Sequence, residues 1–282
     1  MNRVIFNADD FGIHEEVNQA VVDAYRHGVL RSTSLVANGP AFDEAVELAK
    51  ECPGLGVGIQ LCLTGPFTPI LSPKEVPSLV EQDALFPDNY TAFMKRSMTG
   101  QLQYTDVYRE LDGQMEKIMA AGLSITHVDS SRHIHMLPQI WPIVQALMKK
   151  YGIHRARIPR ESPVFQALYG DPGRLMARNG LTLLGKRAMV DVQRFGFMTT
   201  DFFWGSVDTG QVDEKKLLYL LQRLPFGVHE IMMHPGKYED ILRQQFSWGY
   251  HWEDEYKALV SPAVRELMTQ RNIQSISFGN VP

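Results

Sequence analysis

Short apolar runs, each followed by a longer amphipathic stretch, recur from one end of the chain to the other. This alternation constrains the fold more than any other feature. VIFN, from Val4 to Asn7, reads as a buried strand, and EEVNQAVVDAYRHG from Glu15 reads as a helix that Gly28 ends. SLVAN from Ser34 is a second strand, followed by a helix over FDEAVELAKE. GVGIQLCLT, from Gly56 to Thr64, is a third strand, and YRELDGQMEKIMAAG is a helix stopped at Gly122. SITHVDSS is a fourth strand, a helix runs from Gln139 to Lys150, and RARIP is a short fifth strand. PGRLMARNGLTLLGKRAMVD is helix-like but broken by glycine. DEKKLLYLLQRL is a helix, GVHEIMMHPG a strand, EYKALVSPAVRELMTQ mostly helix, and QSISF a closing strand. Repeated strand–helix units with buried apolar strands imply a parallel sheet. Roughly seven units without a Gly-rich phosphate fingerprint favour a TIM-like (β/α) barrel over an open sheet.

The 282 residues suit a single domain, residues 1–282. A formal charge of −4, from 28 basic and 32 acidic residues, gives no footprint for nucleic acid. Cys52 and Cys62 are the only cysteines and form no CxxC pair, which speaks against a disulfide scaffold or zinc ribbon and for a reduced, cytoplasmic setting. No signal peptide is read in MNRVIFNADDFG, and no apolar run approaches the ~20 residues of a spanning helix. One insertion, Gly65 to Gly100, separates the third strand from the next helix. Its Phe67, Ile70, Leu71, Val76, Leu79, Leu85, Phe86 and Phe93 suggest a packed flap over a substrate or a purely structural excursion.

Polar residues gather where the strands end, and in an α/β barrel those ends share one face. The first strand ends in Asp9 and Asp10; the fourth runs into Asp129, Ser131, His133 and His135; the fifth ends with Arg157, Arg160 and Glu161; GVHEIMMHPG ends with His234. Such convergence points to an enzyme. The aspartates can divide binding and proton transfer, or can cap the following helix. His133 and His135 share a parity and suit a metal or a hydrogen-bonded loop equally. His127 and His229 read as core histidines, and Glu230 needs a partner if buried. Arg157 and Arg160 can hold a substrate oxygen or simply pair with carboxylates.

Taken together and in order, NADDFG, RSTSLVANGPAF, GVGIQLCLT, THVDSSRHIHMLPQIWPIV, RIPRE and MMHPG resemble the YdjC-like carbohydrate deacetylase family. The similarity is greater to its hopanoid-biosynthesis branch. The resemblance implies a distorted barrel that hydrolyses the N-acetyl group of an amino sugar, here an N-acetylglucosaminyl group on a polycyclic lipid. It also implies a divalent ion, magnesium or zinc, on one aspartate and two histidines. Asp10 matches the metal aspartate and Asp9 the base beside it. The two metal histidines fall at positions 60 and 131, which hold Gln60 and Ser131. Asp129, His133, His135 and His234 stand where the pattern expects them. The implied roles are His234 as acid for the leaving amine, and Asp129, His133, His135 and Arg157 as substrate contacts.

Amide and hydroxyl oxygens are weak ligands for zinc, so metal binding and activity are expected to be low or lost. The alternative is a non-catalytic sugar- or glycolipid-binding relative, with peripheral membrane contact through the lipid part. Another barrel hydrolase or lyase with a carboxylate pair is a third reading. No acidic pair other than Asp9 and Asp10 supports it at a strand end.

Overall fold

The computed structural model describes residues 1–161 and 172–282. Among them the strands form one parallel seven-stranded sheet. The strands are β1 (Asn2–Phe11), β2 (Ser32–Leu35), β3 (Gly56–Leu61), β4 (Ile125–Ser130), β5 (Phe202–Trp204), β6 (Val228–Met233) and β7 (Ile273–Ser275). Their order is β4-β3-β2-β1-β6-β5, with β7 pairing the start of β1. Helices α1 (Glu15–His27), α2 (Phe42–Lys50), α3 (Tyr90–Met98), α4 (Tyr104–Ala120) and α5 (Trp141–Lys150) precede the undescribed stretch. After it come α6 (Pro172–Phe195), α7 (Glu214–Leu221), α8 (Glu239–Gln245), α9 (Trp252–Val260) and α10 (Pro262–Gln270). No helix among the described residues is long and apolar enough to cross a membrane.

The sheet curls, and strand periodicity sorts its residues into an outside and an inside. Outward residues such as Val4, Phe6, Ala8, Leu35, Val57, Ile59, Val128 and Ile231 join the main apolar core beneath the helices. Inward residues differ by height. At the bottom, Ile5, Val228, Ile276, Phe278 and Val281 form a small apolar plug. Above it the interior turns polar, with Asn7, Asp9, Ser34, His127, Asp129 and Glu230 all buried. Glycines on β3 make room for this filling. A Cβ on Gly58 would lie 2.2 Å from the His127 ring. A strand glycine marks such a close approach.

Two expectations change, and the insertion is packed as its apolar residues suggest. RARIP is not a full strand; the segment joins the sheet's two edges through isolated bridges, Val128 with Ala156, Arg155 with Met198 and Glu161 with Phe203. The strong curl lets a short stretch span the gap without regular pairing. The glycine-rich stretch is not broken: α6 continues through Gly180 and Gly185. At Gly185 a Cβ would make only ordinary contact, 3.4 Å from Ile158 Cγ2 and Pro159 O, so the helix runs through it without a break. The insertion is folded and anchored. Phe67, Val76, Leu79, Phe86 and Phe93 are buried, and α3 lies within it. Glu110 on α4 accepts from the Ile70 and Leu71 backbone at 2.9 and 3.1 Å, and Asp106 accepts from both the Ser78 N–H and hydroxyl.

Candidate functional site

Adjacent strand residues face opposite sides, so Asp9 and Asp10 would diverge on a regular β1. They do not. The pairing of β1 with β2 shifts register between Ala8 and Phe11, and Asp10 takes a left-handed φ of 69°. A bulge of this kind re-aims a side chain. Both aspartates consequently line one cavity of about 200 Å³ with Gln60, Ser131, Arg132, His133, Thr209, Met232, His234, Trp248 and Tyr250.

Under the cavity lies a fully buried charge network centred on Arg157. Its Nη1 and Nη2 donate to the two Asp9 oxygens at 2.7 and 2.6 Å, and its Nε donates to Glu230 at 2.6 Å. Asp129 stands 3.4 Å from Nη2. Burial would lower the Arg157 pKa, but Asp129, Asp9 and Glu230 outweigh it and hold the guanidinium firmly charged. Burial would likewise raise Asp129; Arg157, His127 and Ser34 prevail and bring its carboxyl down to about 2. One guanidinium cannot balance three carboxylates. Glu230 absorbs the deficit, and burial pushes it up to about 8 despite its bond to Arg157.

The placement of several expected contacts changes accordingly. Asp129 and Arg157 are completely buried below the cavity, and His135 also stays out of its lining. His135 is used internally: Nδ1 pairs with the Ser130 hydroxyl and Nε2 with the Arg157 carbonyl at 2.9 Å. Burial brings its pKa down to about 4. The parity argument for His133 and His135 fails for a local reason. After β4 the chain enters a tight turn, Ser131–Met136, with Arg132 and His133 at φ 53° and 54°. His133 faces the cavity, held neutral by burial and by Arg157, and its buried Nδ1 has no hydrogen-bond partner among the described residues.

His234 directly follows β6 at the cavity wall, its ring centre 4.5 Å from that of Tyr250. Its backbone N–H donates to Glu255, and its Nδ1 is 3.5 Å from the same carboxylate. Burial alone would lower the imidazole pKa, yet Glu255, Asp10 and Asp9 raise it overall. Burial is the main reason that Asp10 rises to about 6; Asp9 adds to the rise, while His234 and Arg132 oppose it. Gln60 lies between the aspartates. Its Oε1 accepts the Asp10 N–H at 2.6 Å, and its Nε2 donates to Asp9 Oδ2 at 3.1 Å.

The donors around Asp10 do not fit a transition metal. Among the described residues no group of three or more His, Cys, Asp or Glu is placed to hold one. The Gln60 oxygen is already engaged, and Ser131 offers a neutral hydroxyl. Glu255, Tyr250, Trp248, Thr209, Met232 and Arg132 were not anticipated from sequence. Glu255 left a trace: it falls on the buried stripe of α9 with Trp252, Ala258 and Leu259, where an acid needs a partner. A second cavity of about 690 Å³ adjoins the first, sharing Arg132, His133, Thr209 and Tyr250 and adding Tyr90, Leu137, Leu181, Leu183 and Leu184.

Residues 3–270 match the family described as YdjC-like protein. Carbohydrate deacetylase 1 of Listeria innocua is 34% identical over 282 residues, covering 99% of this chain and 100% of the relative. The carbohydrate deacetylase of Geobacillus stearothermophilus is 30% identical over 275 residues, 97% of this chain and 96% of the relative. A crystal structure from Enterococcus faecalis V583, whose description names cellobiose-phosphate cleavage, superposes with a TM-score of 0.80. It is 27% identical and covers 98% of this chain and 97% of its own.

Proposed function

The chain belongs to the YdjC-like family, and on that premise we propose that it is a carbohydrate deacetylase whose cavity takes an N-acetylated amino sugar and hydrolyses the acetamide slowly. The observation that carries this reading is the convergence of Asp9, Asp10 and His234 on one cavity, with Glu255 behind the histidine. Water adds to the acetyl carbon while Asp9, oriented by Arg157, takes its proton. The C–N bond then breaks as His234 gives a proton to the departing amine. Acetate and the free amino sugar leave. The raised pKa of His234 suits a proton donor near neutral pH. His133 and Arg132 orient the sugar at the mouth.

The divalent ion implied by the resemblance would sit on Asp10 with positions 60 and 131. Gln60 and Ser131 make a poor set for it, and no step is derived through it. Loss of a comparable electrostatic stabiliser commonly costs ~10²–10³ in rate. The leucine-lined second cavity supports a substrate with an apolar aglycone, for which a hopanoid-linked N-acetylglucosaminyl group is the finer proposal. The insertion contributes Tyr90 to that cavity, in keeping with a cover over the substrate. The sheet, with its edges bridged through residues 155–161, is read as a distorted (β/α) barrel. Two free cysteines suit a cytoplasmic location. The engagement of Gln60 by both aspartates favours a second reading, a sugar- or glycolipid-binding protein without turnover.

Calorimetric titration with the disaccharide of N-acetylglucosamine, alongside its de-N-acetylated form and an acetate-release assay, tests the proposal. Selective binding of the acetylated sugar with slow acetate release is expected. Binding without acetate selects the second reading, and no preference for the acetyl group overturns both.

A further inference from the structure

We infer that Gln60 is a positioning residue that holds Asp9 and Asp10 together in place of a bridging cation, so that protein groups alone assemble the cavity and it takes no divalent metal. Only the sugar arm of the test below rests on the proposed function.

Two neighbouring carboxylates turned into one cavity repel each other, and a site of that kind needs cations or hydrogen-bond donors. Gln60 supplies both halves of a tie within one planar group. Its oxygen takes the Asp10 N–H at 2.6 Å, and its amide nitrogen reaches Asp9 at 3.1 Å. The network fixes the amide orientation. A flipped amide would set NH₂ against the Asp10 N–H and oxygen against the Asp9 carboxylate. Glutamate has the same shape but, when ionised, would add a third negative charge.

Asp9 has little left to offer an ion. Asn7 at 2.9 Å, Gln60 and two Arg157 nitrogens all donate to its carboxylate, and of these Gln60 alone lines the cavity, so an ion would have to displace that amide. Its charge is met from below by Arg157. Asp10 shares the cavity with His234 and Arg132. A dication would therefore enter a pocket whose anions already have cationic neighbours. It would find the Asp10 carboxylate, an occupied amide oxygen and a hydroxyl; His133 and His234 also line the cavity, but among the described residues no three His, Cys, Asp or Glu side chains stand together to hold an ion. Magnesium can fill its shell with water but still leans on one or two free carboxylates, and zinc is held best by several imidazole, thiolate or carboxylate groups together; neither set is assembled here.

The test uses the full chain, stripped with chelator and then given MgCl₂, MnCl₂ or ZnCl₂, with melting temperature and bound metal as readouts. Wild type is expected to retain no stoichiometric metal and to show no shift. Gln60→Ala is expected to melt lower and to recover in part with manganese, because Asp9 then lacks its cavity-side donor and an ion can bridge it to Asp10. A merely structural glutamine would not produce that rescue. Gln60→His/Ser131→His is expected to take up one equivalent of zinc and to melt several degrees higher with it, a shift of the size that ligand linkage gives. Wild type holding one equivalent of any of the three metals, with a matching rise, overturns the inference. So does Gln60→Ala that melts as wild type does. Should Gln60→Ala fail to fold, wild-type uptake and the double variant decide the matter. A wild type inert to metal that also ignores the N-acetylglucosamine disaccharide supports the inference and overturns the sugar reading. A wild type that binds this sugar only with added metal does the reverse.

Discussion

The layer below the cavity and the cavity itself hold similar residues in opposite conditions. In the lower layer, Asp9, Asp129 and Glu230 all gather on one buried guanidinium. At the cavity, Asp10 and Arg132 line the open space, and the buried Nδ1 of His133 beside them has no hydrogen-bond partner among the described residues. The difference teaches where each kind of polar group belongs. A charge sealed from water must be matched by its neighbours, and once matched it is scaffolding. A group left unmatched at the end of a strand is held ready for something that arrives from outside. Asp9 belongs to both regions, clamped from below and exposed to the cavity from above.

Breaking the lower layer has the largest expected effect. Arg157→Met strands Asp9, Asp129 and Glu230 in the interior, and losing one partner of a buried ion pair costs about 3–5 kcal/mol. Urea denaturation of the variant is expected to show that loss; a change below about 1 kcal/mol, the scale of an exposed pair, would erase the distinction between the regions. Next in size is the upper region. His234→Gln keeps a polar side chain but removes the acid, so acetate release is expected to fall by ~10²–10⁴, the usual range for general acid catalysis. Melting temperature should change little beside that. A variant that hydrolyses as wild type does would remove His234 from the chemistry.

A smaller effect sharpens the contrast through pH. Burial lifts Glu230 from an ordinary 4.5 to about 8 in the folded chain. A raised folded-state pKa gives stability that is complete below the unfolded value and is lost as pH rises through the folded one. Wild type should therefore lose stability between about pH 5 and pH 8 from this group. Glu230→Gln keeps an acceptor for Arg157 Nε and cannot ionise. Its urea midpoint relative to wild type should climb from pH 5 to pH 8, and a constant difference would mean that Glu230 is already ionised. Smallest of all, Arg132→Ala at the exposed rim is expected to alter stability by less than about 0.5 kcal/mol. The same variant should weaken binding of the acetylated sugar in calorimetry; unaltered binding would place Arg132 outside the ligand's reach.

The alternation of apolar runs and amphipathic stretches made the parallel sheet and most helices legible in the sequence, because strand and helix periods report burial directly. It also placed Asp9, Asp10 and His234 at strand ends that do share a cavity. Local backbone reversals were invisible. Asp10, Arg132 and His133 adopt left-handed φ without being glycine, and although Asp and His enter that region more readily than most residues, the preference is too weak to place a turn. That is why His133 and His135 seemed to share a face and do not. The buried role of Arg157 was hidden for another reason. Its partners come from β1, β4 and β6, and only the curl of the sheet brings them within reach of one side chain. Glu255 was hidden by distance in sequence from the histidine it supports.

We propose that this cavity is built for an N-acetylated amino sugar and that Gln60 and Ser131 hold back its hydrolysis. Acetate release from the N-acetylglucosamine disaccharide by Gln60→His/Ser131→His with zinc, set against wild type, tests it most directly. The account predicts a rise of about 10²–10³, the usual weight of such electrostatic stabilisation. Equal rates for the two chains, with zinc bound to the variant, would contradict it.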